Sequence, residues 1–232
     1  MDNLNSNLVL SARNLHKDFI KGKDKISVVK GVSLDINAGD CLAIMGSSGA
    51  GKSTLLHMLG GLDKPTQGEL LFGTKRANIW KLSDEDLSDF RNRNLGFVFQ
   101  FHHLLPEFSS LENVMMPALI SGLAPEQARK KAEELLSFIG LKHRMDHRPG
   151  ELSGGEQQRV AIARSVILRP KLLLGDEMTG NLDSENSNHV LDLLLNLNRE
   201  FGIAILIVTH DNDVARRMKR VLTMRDGKII SS

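Results

Sequence analysis

The sequence predicts an α/β fold with a β-rich N-terminal part and a helical lobe inserted into a parallel-sheet body. Three observations predict it. Residues 46–54 read Gly46-Ser47-Ser48-Gly49-Ala50-Gly51-Lys52-Ser53-Thr54, a complete phosphate-binding loop between an apolar strand run, residues 41–45, and a helix-competent stretch, residues 53–59. Two runs, Leu172-Leu173-Leu174 and residues 203–208, are wholly apolar, as strands buried on both faces of a parallel sheet must be. Between about residues 101 and 168, β-branched residues thin out and helical periodicity takes over.

The elements follow in order. Residues 8–35 hold β-rich stretches, including Ser27-Val28-Val29 and Val32-Ser33-Leu34. After the loop and its helix, Pro65-Thr66-Gln67-Gly68 makes a turn into a strand at Glu69-Leu70-Leu71-Phe72. Ser83, followed three residues later by Asp86, marks a capped helix start. Residues 95–99 form another strand. Pro125 opens a helix on which Leu135, Leu136 and Ile139 recur at helical spacing. Ser153 precedes a helix from about Glu156 to Leu168. Leu191, Leu194, Leu195 and Leu197 mark a helix between the two apolar strands. Asp226-Gly227 turns a C-terminal hairpin. Residues 1–232 read as a single nucleotide-binding domain, with the helical subdomain at about 101–168.

Composition narrows the function. The chain of 232 residues is 41% hydrophobic and 25% charged, in the globular range. A net charge of +2 gives no global case for nucleic acid, and nine Phe, one Trp and no Tyr make poor stacking platforms for single strands. The one cysteine, Cys41, forms neither an intrachain disulfide nor a cysteine zinc cluster, and reads as a small buried side chain. Residues 1–7 lack the pattern of a secretory signal. The longest strongly apolar run, near residues 203–208, is far short of the ~20 residues that span a bilayer.

The chemistry concentrates in three places. In the phosphate loop, glycine N–H groups close around nucleotide phosphates, Lys52 reaches the outer ones, and the Ser53 hydroxyl is placed for Mg²⁺. Asp176 and Glu177 end the strand that begins at Leu172. Asp176 is the candidate Mg²⁺ partner through water; Glu177 is the candidate to orient or deprotonate an attacking water. Leu152-Ser153-Gly154-Gly155-Glu156 forms a second anion-binding helix start. One nucleotide does not need two phosphate cradles from one chain. The expectation is therefore two copies facing head to tail, each lending its cradle to the other's ATP.

These motifs, in this order and spacing, resemble the nucleotide-binding subunits of ATP-binding-cassette (ABC) transporters over essentially the whole chain. The resemblance implies the P-loop NTPase fold of ABC ATPases, ATP and Mg²⁺ as ligands, and ATP hydrolysis. It assigns Gln100 as a contact to Mg²⁺ and water that senses the γ-phosphate. It assigns Asp183, within Asn181-Leu182-Asp183, to a loop crossing the dimer interface, and His210 to a γ-phosphate switch. Without the resemblance, a histidine at a strand end is more often simply solvated. Phe19 falls where an aromatic stacks on adenine, against the alternative of a core phenylalanine. The pattern departs at Gly175 and Met178, where relatives usually carry Ala and Pro. Met178 removes a fixed φ and adds a backbone donor, while the acids stay in place; activity is expected to survive.

Residues outside the shared ATPase motifs narrow the resemblance. Gln100-Phe101-His102-His103-Leu104-Leu105-Pro106, His147-Arg148-Pro149 and Met224-Arg225-Asp226-Gly227 are similar to the ATPases of bacterial lipoprotein-releasing systems. Thr179-Gly180-Asn181-Leu182-Asp183 is shared with macrolide-exporter and cell-division ATPases, which stand as the alternative. The implied partners are a second copy of the chain and two integral membrane permease subunits, with lipoprotein as indirect cargo. The implied location is the cytoplasmic face of the bacterial inner membrane, as a peripheral protein. Residues 101–107 read either as part of a groove for a cytoplasmic helix of a membrane partner or as a buried lobe junction. Their two histidines, without further ligands nearby, make a poor metal site. ABC proteins of DNA repair or translation usually carry tandem cassettes, long coiled-coil insertions or basic extensions, none of which is present.

Overall fold

Two long antiparallel strands, β1 (Leu8–Lys21) and β2 (Asp24–Asn37), open the fold. The computed structural model describes residues 7–22, 24–73 and 77–231, so the reading of residues 1–6 lies outside the described residues. β4 (Gln67–Phe72) pairs with the other edge of β1, and the short β5 (Ala77–Asn78) completes a sheet of order β2-β1-β4-β5. The N-terminal stretches read separately from sequence are thus one continuous hairpin whose irregularities are absorbed by register shifts.

The second sheet has the order β10-β9-β3-β8-β7-β6. Its parallel strands are β3 (Cys41–Met45), β6 (Leu95–Val98), β7 (Leu172–Asp176), β8 (Ala204–Thr209) and β9 (Arg220–Arg225). β10 (Lys228–Ser231) closes the edge antiparallel to β9.

Strand alternation sorts this sheet into two cores. Leu42, Ile44, Leu172, Leu174, Leu206 and Val208 face α1 (Lys52–Leu59) and the N-terminal sheet. Cys41, Ala43, Leu173, Ile205 and Ile207 face the other way, into the helical side. Both faces are therefore dry, which is why the strand sequences are apolar throughout. Leu55, Leu56, Met58 and Leu59 are fully buried, so α1 is wedged between the sheets and the phosphate loop is held from both ends.

α2 (Asp84–Asn94) starts at Ser83, whose hydroxyl accepts the Asp86 N–H. Three α-helices lie between β6 and β7: α3 (Ser110–Ile120), α4 (Pro125–Phe138) and α5 (Gly154–Val166). The expected helix start at about Glu156 moves two residues earlier. Ser153 is the N-cap and Glu156 its N3 partner in a capping box, so both glycines are inside the first turn. α6 (Ser184–Phe201) and the short α7 (Asn212–Arg216) flank β8.

Residues 101–109 form no helix. Two side chains hold their backbone instead. The amide of Asn113, fully buried on α3, exchanges hydrogen bonds with both the N–H and the C=O of Leu105 and also donates to the carbonyls of Phe108 and Ser109. From α5, Arg164 Nη1 donates to the His103 carbonyl at 2.7 Å and Nη2 to the His102 carbonyl at 2.9 Å. The segment is not a buried junction: Phe101 is 67% exposed. Among the described residues, no helix is long and apolar enough to cross a membrane, and no His/Cys/Asp/Glu group with metal-holding geometry forms around His102 and His103.

Candidate active site

The phosphate loop runs from the end of β3 into α1. Ser47, Ser48 and Gly49 are exposed, while Ala50, Gly51 and Lys52 are buried. Gly51 N-caps α1 at φ 99°, and a Cβ there would lie 2.8 Å from the Val28 carbonyl, so only glycine serves. Gly46 likewise abuts the Met224 carbonyl. Lys52 Nζ donates to the carbonyls of Gly46 at 2.8 Å and Ser47 at 3.0 Å, which curls the chain around the ammonium. Ser53 and Thr54, in the first turn of α1, stay accessible beside it.

β7 lies two strands from β3, with β8 between them, and delivers Asp176 to the loop. Ser53 Oγ donates to Asp176 Oδ1 at 3.1 Å, across 123 positions of sequence. Burial pushes the Asp176 carboxyl above its ordinary range. The Ser53 hydrogen bond and the charges of His57 and Lys52 act against that shift, and neighbouring Glu177 adds to it.

Glu177 adopts φ 42°, a left-handed conformation that costs a non-glycine residue about 1–2 kcal/mol. Its N–H donates to Val208 O at 3.0 Å and its carbonyl accepts the Gly180 N–H at 2.9 Å. Held in this way, its Oε1 meets His210 Nδ1 at 2.8 Å. A cleft of about 340 Å³ opens beside the pair, lined also by Gly180, Ser187, Thr209 and Asp213.

Gln100 is drawn to the same loop. Its Nε2 donates to Asn181 Oδ1, and Asn181 Nδ2 donates back to the Gln100 carbonyl, both at 3.2 Å. Sequence reading singled out Gln100 and Asp183 but not Asn181. The signal was present in Thr179-Gly180-Asn181-Leu182-Asp183, but nothing local shows that Asn181 faces a residue 81 positions upstream.

The segment from Leu152 to Glu156 is built for display. Leu152 is buried, and Ser153 and Gly154 are exposed. Glu156 accepts the Ser153 N–H at 2.8 Å and Arg144 Nε at 2.9 Å, and these bonds hold its carboxyl below the usual range. Gly155 packs directly against the Asn186 side chain on α6. The same Asn186 amide donates to Asp183 Oδ2 at 2.8 Å, while Asp183 Oδ1 caps α6 through the Asn186 N–H. Asn186, which sequence reading missed, thus joins the start of α5 to Asp183.

Among the described residues, no hydrogen bond or ion pair links residues 152–156 to residues 46–54. Phe19 sits on β1 at 43% exposure, opposite Ile26, with Lys17 Nζ 5.1 Å from its ring centroid, so it is not a core residue.

The oxygen donors of Ser53, Asp176 and Gln100 are hard, uncharged or singly charged ligands of the type Mg²⁺ takes together with phosphate and water. With Gln100 Nε2 engaged by Asn181, its amide oxygen is the atom with which it can ligate.

Comparison with known proteins agrees with this geometry. Residues 29–180 match the ABC transporter family. The chain is 53% identical over 223 residues to the lipoprotein-releasing system ATP-binding protein LolD of Syntrophus aciditrophicus, covering 96% of this chain and 99% of that one. It is 49% identical to LolD of Legionella pneumophila, over 97% and 98% of the two chains. The fold superposes on the dimeric ATP-binding cassette MJ0796, solved in a post-hydrolysis state with ADP and Pi, with a TM-score of 0.86 at 39% identity, covering 95% of this chain and 96% of that one. CbiO1 of Clostridium perfringens, part of the CbiONQ transporter complex, gives a TM-score of 0.85 at 31% identity, covering 97% and 87%. By family match, near-full-length identity and shared P-loop NTPase fold together, the chain belongs to the ABC transporter family, as one of its nucleotide-binding, ATP-hydrolysing cassettes.

Proposed function

We propose that this cassette drives release of lipoproteins from the bacterial inner membrane, working as a pair on the cytoplasmic face beneath two permease subunits. The cargo rests on likeness to LolD proteins along nearly the whole chain. The observation that carries the chemistry is the junction at Asp176 and Glu177, where one acid bonds Ser53 of the phosphate loop and the next bonds His210.

Lys52 and the loop amides hold the ATP phosphates. Ser53 and Gln100, with Asp176 through water, would hold Mg²⁺, which would neutralise phosphate charge. Glu177 orients the attacking water and takes its proton, and His210 steadies the Glu177 carboxylate and faces the γ-phosphate. Phe19 stacks on adenine. The exposed start of α5, with Ser153 and Gly154 outermost and the buried Gly155 behind them, caps the γ-phosphate of the second copy, and Asp183 lies at the seam. Catalysis is then positioning and electrostatics.

Residues 1–232 act as one cassette in which the helices between β6 and β7 move as a lobe. An apolar groove of about 410 Å³ is lined by Leu62, Phe97, Phe99, Pro117 and Ile120, and also by Arg164, whose guanidinium bonds the His102 and His103 carbonyls. It suits a short cytoplasmic helix of a permease. Ile120, 71% exposed, supports that reading.

The test is co-purification of the chain with its membrane partners, followed by ATP-driven lipoprotein release from reconstituted vesicles. Release that depends on ATP and stops in Glu177→Gln is expected. A drug or peptide as the only cargo would overturn the cargo assignment. Cysteines at Ser153 and Ser48 should crosslink between copies under ATP; crosslinks only within one chain would end the two-copy account.

A further inference from the structure

The two residues that bracket Asp176 and Glu177 pack against each other. Gly175 lies in β7, paired with Val98 on one side and Ile207 on the other. It lies outside the left-handed region, so an alanine would meet no backbone strain there. What excludes a side chain is Met178. A Cβ on Gly175 would lie 2.6 Å from Met178 Sδ, 3.0 Å from Cε and 3.2 Å from Cγ. Met178 is only 2% exposed and belongs to the same core as Val98 and Ile207. The chain leaves the strand at Asp176, turns through the left-handed Glu177, and sends Met178 back into the core over Gly175.

This arrangement explains both departures from the usual loop sequence at once. The thioether occupies the volume that an alanine methyl would take. Neither residue touches ATP in the proposed mechanism, yet they are covalently one residue away from each acid. The Glu177 backbone is held by Val208 O and by Gly180 N–H, and Met178 anchors its C-terminal side. We propose that Gly175 and Met178 form a packing lock that positions the Glu177 carboxylate, with Met178 as the positioning residue. The inference rests on the reading of Glu177 as the group that orients water.

The experiment is a double-mutant cycle on the full chain: Gly175→Ala, Met178→Ala and both together, with Glu177→Gln as control. Steady-state ATPase rates, ATP affinity and thermal unfolding are measured for each. An added methyl pushes Met178 off its seat and moves Glu177, so Gly175→Ala should lower kcat about tenfold while KM for ATP stays within about twofold. Met178→Ala frees the loop and should lower kcat severalfold, again without a matching change in KM. The double variant should recover kcat relative to Gly175→Ala, because the shortened side chain makes room for the methyl.

Wild-type kcat in Gly175→Ala, or no recovery in the double variant, would overturn the lock. So would losses of kcat, affinity and unfolding temperature that merely run in parallel. Should Gly175→Ala not fold, Met178→Ala decides alone, and wild-type kcat there refutes the proposal. The control separates the two readings. If Glu177→Gln turns over normally, the role of Glu177 is wrong. If Glu177→Gln is inactive and both single variants are fully active, only the lock is wrong.

Discussion

Glu177 Oε1 and His210 Nδ1 meet at 2.8 Å across the ends of two neighbouring parallel strands, β7 and β8. The carboxylate is thereby held in one orientation by a group from a separate strand. Glu177→Gln should still bind ATP but lose turnover by about 10² or more, and should accumulate as an ATP-bound dimer. His210→Ala should lower kcat with little change in ATP affinity. Single-turnover hydrolysis together with sedimentation in ATP checks both; full activity in Glu177→Gln would remove it from the mechanism.

Lys52 is buried and its ammonium already donates to two loop carbonyls. Replacing it with alanine removes the charge from the phosphate cradle and two bonds from the loop. A charge-assisted bond contributes roughly 1.5–3 kcal/mol, so Lys52→Ala should weaken ATP binding by about 10- to 100-fold. Calorimetric titration measures it, and an unchanged Kd would take Lys52 out of the phosphate site.

Asp176 is a carboxyl whose ionised form works against folding. Burial raises its carboxyl above the ordinary value of 3.8, so the folded protein holds this proton more tightly than the unfolded chain. Stability then falls as pH rises from the unfolded value through the folded one, and the charged form costs stability at neutral pH. Asp176→Asn should therefore raise the unfolding temperature of the nucleotide-free protein at pH 7. That gain should vanish on acidification below the ordinary value. The same substitution should weaken Mg²⁺-dependent ATP binding.

Glu156 has the opposite sign. The Ser153 N–H and Arg144 hold its carboxyl below the ordinary value of 4.5, so its contribution is present above that value and lost as pH falls through the folded one. Glu156→Ala breaks the capping box and should cost about 1 kcal/mol at neutral pH. The gap in unfolding free energy between the two proteins should close in acid. Because Ser153 is the partner in the box, ATP-driven pairing should weaken as well.

Arg164 on α5 grips the backbone just after Gln100, through the carbonyls of His102 and His103. His103 is itself left-handed at φ 47°. A lysine cannot reproduce two bonds in fork geometry. Both Arg164→Ala and Arg164→Lys should lose about 2 kcal/mol and speed amide exchange across residues 101–106. Exchange mass spectrometry reads that segment directly.

The sequence by itself determined whatever depends on neighbours along the chain. The phosphate loop, the Ser83 cap, the helix with Pro125 in its first turn and the Asp226-Gly227 hairpin are each set by the backbone preferences and side-chain bonds of a few consecutive residues. The order and spacing of the motifs carried the family as well. Tertiary structure alone decided which distant residues meet. Ser53 finds Asp176 only because β3 and β7 flank β8 in parallel register, and Gln100 finds Asn181 only through the loop beyond β7. It placed Phe19 outside the core, tied Asp183 to Gly155 through Asn186, and packed Met178 against Gly175. Local propensity has a reach of about one turn, whereas strand register and core volume are properties of the packed whole.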